Sequence, residues 1–138
     1  MALKWKDTFS CSIQEIDNQH KKLFQIGSEL FELASLKDNA DHYDEIMKII
    51  NELKEYTIYH FSYEENLMEK HFYRNYAEHK IEHEAFIKAI AKIESSDLDA
   101  HQSASVMKLI IFISDWITSH ILKTDIQYKD FFNQKGVY

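Results

Sequence analysis

A chain of 138 residues, 45% of them apolar, is one domain's worth and can bury about two thirds of the surface its unfolded form would expose. The net charge of −7, with acidic residues mixed among lysines, argues against nucleic acid or an anionic membrane surface as partner. One cysteine, Cys11, rules out an intrachain disulfide, and a chain without proline and with only Gly27 and Gly136 lacks the turn formers of a β fold.

The amino terminus, "MALKWKDTFSCSIQEID", has no apolar run of signal-peptide length. No later segment approaches the roughly 18 uninterrupted apolar residues of a membrane span, so a cytoplasmic protein without membrane insertion is expected. A short N-terminal arm leads to a first helix expected after Asp17, a plausible N-cap. Its apolar stripe runs His20, Leu23/Phe24, Gly27, Leu30/Phe31, Ala34. The second helix carries Ile46, Ile49/Ile50, Leu53, Tyr56, His60, Glu64 and Leu67, and the third Tyr76, His79, His83, Phe86, Ile90 and Ile93. The fourth reads Val106, Leu109, Ile113, Trp116, His120. Polar clusters at 36–41, 71–75 and 94–99 mark the breaks. Short connections between amphipathic helices imply an all-α, up-down-up-down antiparallel four-helix bundle, a single domain over 1–138.

In every stripe the histidine continues the apolar face and should point inward. His60/Glu64 and His79/His83 are four residues apart, which places each pair about 40° apart on one helix face. Residues level across an antiparallel hairpin are equidistant from its turn. The midpoint of 20 and 60 is 40, that of 62 and 81 is 71.5, and that of 81 and 120 is 100.5, all in or near the breaks found from polarity. Five imidazoles and a carboxylate therefore converge at one level of the bundle. Burying them without partners would cost roughly 1 to 3 kcal/mol each, and a metal supplies the partner.

That ligand set exceeds what one tetrahedral zinc uses, so two metals are implied, and nitrogen and oxygen donors suit iron, manganese, copper or zinc. Glu64 is a natural bridge, and "HILKTD" offers Asp125 as a second. Five residues beyond His120, Asp125 would sit about 140° off the stripe of a regular helix. A local π-bulge is expected to bring it inward.

The pieces "IDNQHKKLF", "HFSYEENLM", "HKIEH" and "WITSHILKTD", with Trp5, resemble the hemerythrin family along nearly the whole chain. The resemblance implies a non-haem di-iron centre (Fe2+/Fe3+), bridged by Glu64, Asp125 and a solvent-derived oxo or hydroxo group. His79, His83 and His120 would complete one iron. His20 and His60 would hold the other, leaving it open to dioxygen, which is bound and released intact. Phe24, Tyr56, Phe61, Phe86, Ile113 and Trp116 are the candidates for an apolar gas pocket. His42, His71 and His101 match no motif position and are expected on the solvated surface. So are Glu65, Glu78, Glu82 and Glu84, a minority of which could accept hydrogen bonds from the ligand rings.

The expected function is reversible O2 binding for carriage, storage or delivery to an O2-using acceptor enzyme, by a monomer that is not itself an enzyme. The alternatives are an O2- or NO-responsive sensor, or a di-iron enzyme acting on O2, peroxide or nitric oxide. Oxygen-activating bundle enzymes of the ferritin-like group use four carboxylates. Five imidazoles with two carboxylates favour milder, reversible exchange.

Overall fold

The computed structural model describes residues 4–36, 42–95 and 103–138. Helices α1 (Gln14–Ala34), α2 (Tyr43–Lys70), α3 (Tyr76–Ser95) and α4 (Ser103–Lys123) form the antiparallel four-helix bundle, followed by a short α5 (Lys129–Gln134). The three midpoints fall inside the gaps between these helices. The connections at 37–41 and 96–102, and the side chains of Ile93, Val106 and Leu109, lie outside the described residues.

Helix α1 starts earlier than expected, with Ile13 at its N-cap and Asp17 inside its first turn. Asp17 serves the arm instead of the helix. Its Oδ2 accepts from the Ser10 hydroxyl at 2.6 Å and its Oδ1 from the Cys11 N–H at 2.8 Å, which fixes the chain where Ser12 turns at φ +56°. The arm, with a 3-10 turn at Asp7–Phe9, then lays Trp5 and Phe9 against Phe24.

The stripe of α2 drifts by one residue along its length, because 3.6 residues per turn do not keep step with a strict three-four spacing. Thr57 and Met68 are buried where Tyr56 and Leu67 were the stripe positions, and those two are half-buried. On α3, His79, His83, Phe86 and Ile90 all face inward as the period requires. Contacts of Phe86 with Trp116 (4.1 Å between centroids) and of His79 with His120 (4.9 Å) run in opposite directions along α3 and α4, the mark of antiparallel neighbours.

Two apolar clusters divide the core. The larger includes Leu23, Leu30, Ile50, Phe61, Phe86, Ile113 and Ile117. The smaller joins Cys11, Ile13, Ile16, Met68, Tyr73, Tyr128 and Phe132, so that α5 closes one end of the bundle. Between them lies a polar belt. Among the described residues no helix is long and apolar enough to cross a membrane.

Candidate metal centre

The belt is made by one side chain or pair from each bundle helix. His20 comes from α1, His60 and Glu64 from α2, His79 and His83 from α3, His120 from α4, and Asp125 from the turn after α4; none is more than 6% exposed. The structure brings all seven expected residues together.

Asp125 arrives by a route other than the expected π-bulge. Helix α4 stops at Lys123, and Thr124, at φ −106° and ψ −52°, breaks its axis although its N–H still donates to His120 O at 2.8 Å. The chain then tightens into a 3-10 turn, Asp125–Tyr128, with the Gln127 N–H donating to Thr124 O at 3.2 Å. Tightening to about 120° per residue after a break, instead of widening, turns the carboxylate under the histidines.

Asp125 Oδ1 lies 2.8 Å from His79 Nε2 and 3.0 Å from His120 Nε2, while Oδ2 lies 3.0 Å from His20 Nε2. Glu64 Oε1 is 2.6 Å from His60 Nε2, and its Oε2 is 3.7 Å from His79 Nε2. Two sets of potential ligand atoms result, each within 4.8 Å: His79, His83, His120 and Asp125, and His20, His60, Glu64 and Asp125. Asp125 belongs to both. Glu64 reaches histidines of both.

These approaches are close but mostly misaligned for hydrogen bonding. Both ring nitrogens of His20, Glu64 Oε1, His79 Nε2 and both Asp125 oxygens are buried without a hydrogen-bond partner among the described residues. Buried polar atoms are normally satisfied, and five of these orphans, all but His20 Nδ1, converge on one small volume, which indicates donor atoms arranged around cations. The set contains nitrogen and oxygen donors only, which fits first-row divalent metals.

The field of the belt is balanced internally. Burial and the neighbouring Asp125 would raise the Glu64 carboxyl, but His60 and His83 outweigh them and hold it at about 2. Asp125 is likewise kept well below its ordinary value, against its burial, by His120, His20 and His79. Burial pushes the His60 ring down, whereas in His120 the carboxylates of Asp125, Glu64 and Glu82 overcome burial and lift it to about 9.

Outside the seven, four side chains hold the donors in place. Gln19 Oε1 accepts from His60 Nδ1 at 2.6 Å, and its own amide N–H donates to Glu15 Oε1 at 3.1 Å. Glu65 Oε2 is 2.8 Å from His83 Nδ1, and Glu82 Oε2 is 3.1 Å from His120 Nδ1. The fully buried Tyr128 hydroxyl donates to Glu64 Oε2 at 2.7 Å, with its ring stacked on His79. Sequence reasoning missed Gln19 and Tyr128. The three-four spacing of Asp125, Tyr128 and Phe132 was the signal for the second. Of the four glutamates expected on solvated faces, Glu65 and Glu82 turn to the rings.

A cavity of about 10 Å³, room for one water-sized molecule, lies against His20, His60, His120 and Asp125. Leu23, Thr57, Phe61, Trp116, Ile117 and Ile121 form its walls. Only Phe61 and Trp116 of the expected pocket residues line it. Phe24, Phe86 and Ile113 pack elsewhere in the larger cluster, with Phe86 stacked behind Trp116, and Tyr56 is partly buried at that cluster's edge.

Three other features add no ligand. His42 is half-buried beside Glu45 (3.3 Å) and His71 is half-buried against Phe132, neither simply solvated, while His101 lies outside the described residues. Cys11, Asp17 and His20 also converge, but both Asp17 oxygens are already engaged by Ser10 and Cys11. Burial raises the Cys11 thiol far above its usual range, which keeps it protonated.

Residues 11–131 match the family described as the hemerythrin HHE cation-binding domain. A bacteriohemerythrin of Clostridium acetobutylicum is 40% identical over 91% of this chain and 98% of its own length. The hemerythrin of Themiste dyscrita is 32% identical over 91% of this chain and 89% of its own. A crystal structure of wild-type hemerythrin superposes with a TM-score of 0.79, at 26% identity, over 94% of this chain and 97% of the other. Motif, bundle and belt agree with these likenesses, and the chain belongs to the hemerythrin family.

Proposed function

We propose that this protein binds dioxygen reversibly at a pair of iron ions held by the belt. His79, His83 and His120 would hold one iron and His20 and His60 the other, with the carboxylates of Glu64 and Asp125 within reach of both sets and a solvent-derived oxo or hydroxo group completing the centre. The iron pair supplies two electrons that can be lent to dioxygen and recovered. Counting protein ligands, the His20/His60 side has one fewer histidine, and this is the side where ligand space remains.

The small cavity carries the reading. It adjoins both His20 and His60 and only His120 of the other set, admits only a molecule of a few atoms, and is walled mainly by Leu23, Phe61, Ile117 and Ile121. Mostly apolar walls disfavour water, and the Thr57 hydroxyl among them already donates to Leu53 O at 2.6 Å, which leaves it no proton to offer a bound gas. Tyr128 holds Glu64 from the opposite, smaller cluster, so its hydroxyl is already committed. Those features support a binder over an enzyme. Carriage, storage or delivery to an O2-using enzyme, by a monomer, are the roles that follow.

The test is anaerobic loading with ferrous iron, then cycles of air and argon with visible spectra and iron analysis. Two irons per chain and an absorption band that appears in air and fades under argon are expected. A band that never forms, or one that decays to an oxidised state argon cannot reverse, would overturn the reading in favour of an enzyme or sensor.

A further inference from the structure

The two halves of the belt differ in what stands behind their imidazoles. On the three-histidine side, two rings are backed by carboxylates, His83 by Glu65 at 2.8 Å and His120 by Glu82 at 3.1 Å. On the two-histidine side, His60 Nδ1 meets the neutral amide oxygen of Gln19 at 2.6 Å, and that amide is locked in orientation by Glu15. His20 Nδ1 is buried without a hydrogen-bond partner among the described residues. Every ring therefore presents Nε2 to the centre where its contacts are recorded, yet only one side has charged acceptors behind it.

The hydrogen on Nδ1 of a metal-binding imidazole is drawn toward its acceptor, and the ring's other nitrogen becomes a stronger donor in proportion. A carboxylate draws it more strongly than an amide, because charge-assisted hydrogen bonds are roughly twice as strong as neutral ones. A stronger donor set stabilises the higher charge on a cation.

We infer that Glu65 and Glu82 are positioning residues that bias the centre, making the iron on the three-histidine side the more readily oxidised of the two. Gln19 in place of a carboxylate leaves the cavity-side iron with the weaker donors. This inference rests on the di-iron reading above. An outer-sphere one-electron oxidant such as ferricyanide would then take its first electron from the three-histidine side, one Fe2+ becoming Fe3+ as one ferricyanide becomes ferrocyanide. Glu65 is the better shielded carboxylate, with 19% of its side chain exposed against 49% for Glu82, so less of its charge is screened by water.

The experiment is an anaerobic redox titration of the iron-loaded chain, comparing wild type with Glu65→Gln, Glu82→Gln and Gln19→Glu. Glutamine keeps the hydrogen-bond acceptor and removes only the charge. Glu65→Gln is expected to raise the midpoint of the first one-electron step by about 59 mV, a tenfold change in that equilibrium at the lower end of the effect of removing such partners. Glu82→Gln should raise it less, and Gln19→Glu should lower the second midpoint and narrow the gap. Either glutamate variant suffices if the other fails to fold. A first midpoint that stays put or falls in both glutamine variants would overturn the bias, as would a Gln19→Glu effect confined to the first step. Wild type is checked beforehand for two irons per chain and the air–argon band. If those fail, the functional reading falls and the bias with it; if they hold while the midpoints do not move, the bias alone is wrong.

Discussion

At the scale of single residues, the energetics of the belt turn on two carboxylates, Glu64 and Asp125, both wholly buried. Replacing Asp125 by Asn removes a charge that faces three histidines. Loss of partners behind a metal ligand already costs 10- to 100-fold in affinity, so Asp125→Asn should lower iron affinity by at least about 100-fold in a chelator competition. Two tightly held irons in that variant would show that Asp125 is no ligand. Tyr128→Phe removes the donor to Glu64 while preserving the ring against His79, and should cost the iron-free chain about 2 kcal/mol in urea unfolding. The pH dependence of the iron-free chain follows from the same groups. Glu64, at about 2 when folded against 4.5 ordinarily, contributes stability that is present above 4.5 and lost as pH falls toward 2. Asp125 acts in the same direction, below its ordinary 3.8. His60 adds to the acid loss, because the unfolded ring takes up its proton near 6.5 before the folded one does. His120, raised to about 9, acts oppositely: its contribution is complete below 6.5 and drains away as pH rises through 9. Urea midpoints should therefore decline on both sides of neutrality, and His120→Gln should flatten the decline between about pH 7 and 9, leaving the further loss above 9 that comes from the buried Cys11 thiol. A wild-type midpoint that is flat from about pH 7 to 9.5 would contradict the role given to His120.

At the scale of elements, two helix ends offer an internal comparison. Helix α2 ends with Phe72 at φ +57°, the Tyr73 N–H donating to Met68 O and the Phe72 N–H to Glu69 O. Helix α5 ends the same way around Gly136 at φ +82°, with Val137 N–H donating to Phe132 O and Gly136 N–H to Asn133 O. Both are the left-handed closure that glycine makes without strain. Phe72 is 90% exposed and sacrifices no core contact if removed. Phe72→Gly should stabilise the chain by about 1 kcal/mol and Gly136→Ala should destabilise it by a similar amount, both read from thermal unfolding. Equal small effects of one sign would show that backbone strain is not what separates the two ends. The elements themselves were legible in the amino-acid sequence wherever period and burial coincide: the stripes of α1 and α3, the three breaks, and the common level of His20, His60, His79, His83 and His120. What the period could not disclose was where regularity stops. A helical wheel places Asp125 off the stripe because it assumes the axis continues past Thr124, and it gives Asp17 to a cap because the arm's need for an acceptor is a tertiary fact. Glu65 and Glu82 look like any exposed helical glutamates until the neighbouring helix brings a ring nitrogen to them. Tyr128 is hidden for the same reason, since its partner Glu64 lies 64 positions earlier.

At the scale of the whole molecule, the belt is the seam between two apolar clusters, and the ions it is proposed to hold join all four bundle helices across that seam. Ligands that bind only the folded chain stabilise it by mass action, about 4 kcal/mol for each site at a free concentration 1,000 times its dissociation constant. For a domain of this size 1 kcal/mol shifts the melting temperature by at least about 2 °C, so full loading should raise it by about 10 °C or more. Removal of the ions should not loosen the molecule evenly. The larger cluster retains long stretches of α1, α2, α3 and α4 packed through Leu30, Ile50, Phe86 and Ile113. The smaller one depends on the arm, the end of α2 and the short α5, and its fully buried Tyr128 is anchored to Glu64. Without cations the buried carboxylates lose a strong partner, and the chain near Asp125, a four-residue 3-10 turn and a six-residue helix, has only short runs of backbone hydrogen bonds to resist opening. Amide hydrogen exchange after chelation under argon should therefore accelerate first in residues 68–73 and 124–132, while amides around Ile50 and Phe86 keep their protection. Uniform acceleration along all four helices would mean that the bundle opens as one unit and that the belt, with or without ions, is not a boundary between two levels of stability.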